Sequence, residues 1–73
     1  MTTTVDFISY HLKVKGQAVD PVWAEAERHG ATLQFNRYND PVIVMPETNQ
    51  YNSFFALKYS DSIRQVTREC WYL

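Results

Sequence analysis

The stretch Asp20-Pro21-Val22-Trp23-Ala24-Glu25-Ala26-Glu27-Arg28-His29-Gly30 decides how the rest of this 73-residue chain is read. It carries the start and stop signals of a helix. Asp20 reads as an N-cap and Pro21 as the first helical residue, where its missing N–H costs nothing. Ala24, Glu25, Ala26 and Glu27 follow with high helix propensity. Arg28 and His29 lie at the negative end of the helix dipole, and Gly30 is placed to close the helix in the left-handed conformation. The pattern predicts a helix from about Asp20 to His29, with Val22, Ala26 and Trp23 turned to the core.

Directly after Gly30 the period changes from helical to alternating. Leu33 and Phe35 alternate with Gln34 and Asn36, Asn39-Asp40-Pro41 is turn chemistry, and Val42-Ile43-Val44-Met45 is a short apolar strand ended by Pro46. This predicts a hairpin from Ala31 to Met45, followed by a loop at Glu47-Thr48-Asn49-Gln50. Further out, the pattern is less decided. Residues Ser53 to Tyr59 fit a third strand or a buried helical turn. Ile63, Val66, Cys70 and Leu73 recur at helical spacing behind Ser60, Asp61 and Ser62 as caps, which predicts a helix from Ser60 or Asp61 to Tyr72. Thr4 to Lys15 fits either a helix or a strand. The β-branched and aromatic residues of its second half favour the strand. The sum is a single small α+β domain over residues 1–73, with two or three helices on a short antiparallel sheet of about three strands.

Composition bounds the class. The chain is long enough for one thin core, and its 45% hydrophobic residues argue against disorder. With one cysteine, Cys70, no internal disulfide can form, which points to a reducing compartment. No run approaches the ~20 apolar residues of a membrane span, and Met1 to Asp6 lacks the basic start and apolar core of a signal peptide. A cytoplasmic protein without membrane contact is expected. The net charge of −1 lacks the basic excess normal for a duplex DNA binder.

The residue inventory argues against an enzyme. Gly16 and Gly30 are the two glycines, too few for a phosphate-binding loop or a dinucleotide fingerprint. His11, His29 and Cys70 lie far apart in sequence, so neither a metal site nor a cysteine–histidine pair is expected, and no cofactor. Cys70 falls on an apolar stripe and reads as buried. Glu25 and Glu27 are two apart, which turns them to different sides of a helix, and Glu25 is placed to pair with His29.

Residues 31–57 carry three charges, Arg37, Asp40 and Glu47, amid asparagine, glutamine and tyrosine. Contact surfaces lose Lys and Glu and gain Tyr, Trp, Arg and adaptable amides. Arg37, Tyr38 and Asn39, with Tyr51 and Asn52, are therefore the expected partner-binding patch. Trp71 and Tyr72 join them as two large rings at the chain end. Lys58, Arg64 and Arg68 are the candidate contacts for the alternative, a nucleic-acid partner.

In size and style the chain resembles the accessory proteins that phages make to occupy a host machine, with no residue match behind the resemblance. It implies a phage-encoded regulator in the host cytoplasm, a monomer or homodimer, that docks on RNA polymerase or on a defence complex such as a nuclease and acts by steric occupation. The alternatives are a nucleic-acid-binding transcriptional regulator and a homo-oligomeric structural protein.

Overall fold

The computed structural model describes residues 3–13 and 16–72. The expectations that touched Val14, Lys15 and Leu73 lie outside the described residues. In chain order the elements are strand β1 (Thr4–Leu12), helix α1 (Val19–Arg28), strand β2 (Thr32–Phe35), strand β3 (Pro41–Pro46), helix α2 (Tyr51–Lys58) and strand β4 (Ile63–Tyr72). Short 3-10 turns at Gly16–Ala18 and Ser60–Ser62 precede α1 and β4. The sheet order is β2-β3-β1-β4, and each neighbouring pair is antiparallel. A β-α-β-β-α-β chain arranged this way has the split βαβ, or ferredoxin-like, topology. The expected α+β class holds, with one more strand in the sheet.

That strand is the main correction to the sequence reading. Residues 60–72 form a 3-10 turn and β4, where a helix was expected. Ile63, Val66, Thr67, Trp71 and Tyr72 are β-branched or aromatic and suit a pleated surface. The neighbouring edge of β1 offers a ladder running from Thr4↔Tyr72 to Leu12↔Ile63, with a register shift between His11 and Leu12. Pairing with β1 outweighs the coincidental helical spacing. A second correction follows, because Cys70 is exposed on this strand. Residues Tyr51–Lys58 resolve the other ambiguity as helix. Tyr51 and Phe55 fall four apart on its buried side, while Phe54 and Leu57 face out.

At α1 the stop signal worked and the start signal did not. Gly30 adopts φ +89°. Its N–H bonds the Glu27 carbonyl and the Ala31 N–H bonds the Ala26 carbonyl, each at 3.0 Å, which is the Schellman pattern. Asp20 does not cap. The helix begins at Val19 behind Ala18, without a side-chain cap, so Asp20 lies in the first turn, where the helix dipole still favours it.

Both helices pack on one face of the sheet. Tyr10 and Leu12 of β1 and Ile43 and Met45 of β3 meet Val22 and Ala26 of α1 and Tyr51 and Phe55 of α2. Phe55 is fully buried, its ring 5.0 Å from those of Tyr10 and Tyr59. The expected Glu25–His29 pair is replaced by a junction between the helices. Glu25 takes hydrogen bonds from Lys58 (2.7 Å), Tyr51 (2.9 Å) and Tyr59, and His29 stacks on Tyr51 at 4.0 Å. These donors, Lys58 first, hold the Glu25 carboxyl down at about 2. Burial and the Glu25 charge push the Tyr51 hydroxyl above its usual value.

Candidate interaction face

Strand alternation sends every second side chain to the side of the sheet opposite the helices. The register aligns Phe7, Ser9 and His11 of β1 with Pro46, Val44 and Val42 of β3, and with Glu69, Thr67 and Gln65 of β4. Thr32 and Gln34 of β2 lie beside Val44 and Val42. Among the described residues no helix or strand covers this face. Its floor is apolar at one end and polar at the other.

The apolar end holds a groove of about 400 Å³ over Phe7, Ser9 and Val44, bounded by Trp71 on one side and by Gly30 and Thr32 on the other. Trp71 meets Phe7 edge-to-face, with centroids 6.5 Å apart, and remains 55% exposed. Glu69 is the one formal charge in the lining of this groove. The polar end holds a second groove of about 460 Å³, lined by His11, Asn36, Arg37, Tyr38, Arg64 and Gln65 among others.

The β2–β3 turn that carries Arg37 and Tyr38 is locked by Asn36. Its Oδ1 accepts the backbone N–H groups of Tyr38 (2.9 Å) and Asp40 (3.0 Å), and Asn39 takes φ +63°, a conformation asparagine tolerates. The Asn36 Nδ2 then donates to His11 Nδ1 at 3.2 Å, and His11 Nε2 donates to Thr67 Oγ1 at 3.2 Å. This assignment needs a neutral ring protonated on Nε2. One imidazole thereby ties the turn through β1 to β4. Arg37 lies 5.1 Å from the centroid of the Tyr38 ring, which is 68% exposed.

The structure divides the sequence-predicted contact residues. Arg37 and Tyr38 line the polar end of the uncovered face, with Asn39 beside them in the turn, and Trp71 stands at its apolar end. Tyr72, also exposed, alternates to the other side of β4. Tyr51 and Asn52 are withdrawn from the surface patch. Tyr51 is buried in the core. The Asn52 amide donates to the carbonyls of Pro46 (2.8 Å), Glu47 (3.2 Å) and Asn49 (2.8 Å), and its Oδ1 accepts the Tyr10 hydroxyl at 2.8 Å. Asn49 assists by accepting the Tyr51 N–H at the start of α2.

Lys58, Arg64 and Arg68 do not form one cluster. Each faces its own carboxylate, at Glu25 (2.7 Å), Asp40 (3.7 Å) and Glu47 (3.2 Å) respectively. His11 lies on the uncovered face and Cys70 alternates to the other one, so these two do not converge. Among the described residues no three His, Cys, Asp or Glu side chains are placed to hold a metal ion, and no helix is long and apolar enough to cross a membrane.

Sequence reasoning did not single out Phe7, Thr32, Gln34, Val44 or Glu69 as candidate contact residues. A signal was present at β3, where Val42-Ile43-Val44-Met45 is apolar at consecutive positions. In an antiparallel strand such a run puts apolar side chains on both faces, while two helices cover one. Comparison with protein-family models, with curated proteins and with solved structures found no match to this chain.

Proposed function

We propose that this chain is a non-catalytic docking module that binds a protein partner across the uncovered face of its sheet. The observation that carries the reading is the concave apolar groove at Phe7, Val44 and Trp71, on the face opposite both helices. The groove pairs an exposed aromatic with an apolar floor rimmed by polar side chains, the composition that docking sites share. An aromatic anchor on apolar ground with a polar rim is the usual make-up of an interface centre. Thr32 and Gln34, both exposed, supply hydrogen bonds around it, and Arg37 and Tyr38 extend the contact across the second groove. In the regulator reading, the partner is a large assembly of the RNA polymerase or defence-nuclease kind, and occupation of its surface is the whole mechanism.

A protein partner is favoured over nucleic acid by charge. The one formal charge in the groove lining is negative, at Glu69. The three candidate phosphate contacts, Lys58, Arg64 and Arg68, each face a carboxylate. A nucleic-acid complex would weaken steeply with salt, whereas this face is expected to bind with weak salt dependence.

The test is affinity capture from cell lysate with and without nuclease, using the unaltered chain, Trp71→Ala and Leu57→Ala. Trp71 stands on the uncovered face, and Leu57 is an 80% exposed residue of α2. A protein partner that survives nuclease, persists with Leu57→Ala and is lost with Trp71→Ala supports the proposal. Loss on nuclease treatment, or equal capture by all three chains, refutes it.

A further inference from the structure

The sheet has two edges of unequal character. The β2 edge is four residues long. The β4 edge is ten residues long, and among the described residues no strand pairs with its outer side. About half of the residues in such a strand point their N–H and C=O groups away from β1. Edges of this length are normally protected by charged side chains, Lys above all, by Pro, by a bulge or by a covering element. Residues 63–72 contain neither Pro nor Lys; their charges are Arg64, Arg68 and Glu69, and the two arginines are each drawn to a carboxylate of their own chain. The strand is rich in β-branched and aromatic residues, and Val66, Trp71 and Tyr72 stand more than half exposed at 54%, 55% and 75%.

We propose that β4 pairs with β4 of a second copy of this chain. The two would run antiparallel about a two-fold axis perpendicular to the sheet, joining two four-stranded sheets into one of eight strands. An axis in that direction keeps each residue on its own face, so some residue of β4 must lie opposite itself. Side-chain complementarity selects which one.

With Thr67 at the axis, Gln65 lies opposite Glu69 of the partner subunit, and Val66 lies opposite Arg68 of the partner subunit. The two-fold repeats both pairs. Two Gln65 amides then donate to two Glu69 carboxylates on the uncovered face, flanking a central pair of Thr67 side chains. On the helix face the Arg68 stems cover Val66. The neighbouring registers lack this fit. Centring on Arg68 sets two guanidinium groups against each other, and centring on Val66 leaves Glu69 opposite Ile63. The axis also leaves both grooves facing the same way, so the docking surface would be presented twice on one side of the dimer. That would raise the apparent affinity for any partner offering two copies of the docking site. The dimer rests on the β4 edge and is independent of the partner proposed above.

Sedimentation of the unaltered chain over a concentration series tests the association, and charge substitution tests the register. The expected result is a reversible dimer. Gln65→Glu sets carboxylates against each other twice and should weaken it by on the order of tenfold, whereas Gln65→Lys should tighten it. In a Cys70→Ser background, Thr67→Cys should oxidise to a covalent dimer, because directly opposed residues lie within disulfide range. Gln65→Cys in the same background, four residues out of register with itself, should not. A monomer up to about 1 mM overturns the proposal. So does a dimer indifferent to charge at position 65, or one that crosslinks equally through positions 65 and 67.

Discussion

Replacing Asn52 with alanine should be among the most damaging polar substitutions in the chain, though the sequence offers Asn52 as a surface contact. In the structure its side chain joins the end of β3, the loop after it and the first turn of α2. One amide donates to three carbonyls, and one oxygen accepts the hydroxyl of Tyr10, which is 4% exposed. Alanine would leave that hydroxyl with the Asn52 backbone carbonyl at 3.4 Å, a long and weak replacement. Burying an incompletely satisfied hydroxyl costs about 1–3 kcal/mol, and each loop hydrogen bond contributes about 0.5–1.5 kcal/mol net. The loop bonds share one amide, so their contributions do not simply add. A loss of roughly 2–4 kcal/mol is expected, against a total stability on the order of 4–11 kcal/mol for a chain of this length. Urea unfolding followed by circular dichroism at neutral pH measures it. The cycle with Tyr10→Phe supplies the control: once the hydroxyl is gone, Asn52→Ala should cost at least ~1 kcal/mol less than in the unaltered chain. A stability change under ~0.5 kcal/mol, or additive effects of the two substitutions, would refute the role assigned to Asn52.

Three further outcomes follow from other parts of the structure. Glu25 is held at about 2, below its usual 4.5, so its contribution to stability is complete above about pH 4.5 and disappears as pH falls toward 2. An acid titration of unfolding should show that loss, and Glu25→Gln should flatten this part of the profile. Gly30→Ala should cost about 1–2 kcal/mol through its positive φ alone, because the nearest atom to an added Cβ would be the Asn49 amide nitrogen at an ordinary 3.8 Å. Phe55→Ala removes a fully buried ring beneath two tyrosines and should cost about 3–5 kcal/mol, bringing the chain close to unfolded at 37 °C by circular dichroism.

The middle of the chain was legible because its signals are local. The glycine that ends α1, the alternation in β2 and the Asn39-Asp40-Pro41 turn all act within a few residues. The end segments obey distant partners. Ile63, Val66 and Cys70 carry a spacing that suits a helix, and only the proximity of β1 makes them a strand. Cys70 changed from buried to exposed for the same reason. Tyr51 was misplaced because a tyrosine near asparagines looks like an interface, whereas here its hydroxyl finds Glu25 on the other helix. Asn52 illustrates the same limit: an amide looks identical in sequence whether it meets solvent or three carbonyls. The uncovered face was partly visible in the unbroken apolar run of β3. Its other half lies on β1 and β4, whose pairing spans nearly the whole chain. Arg37, Tyr38 and Trp71, by contrast, are large or charged residues in charge-poor or terminal stretches, and the structure places all three on that face.

The pairing of Thr4 with Tyr72 also bears on how the molecule is made. Of the four strands β1 is made first, yet it lies inside the finished sheet, and one of its two neighbours, β4, is made after the other three. Until then β1 carries a bare flank, and a chain stopped short of Ile63 would keep it. Contacts this distant in sequence are slow to form compared with those of a helical bundle. A chain halted before β4 should therefore be a sticky, protease-sensitive fragment, and docking of β4 on β1 should be the step that commits the sheet to its native state.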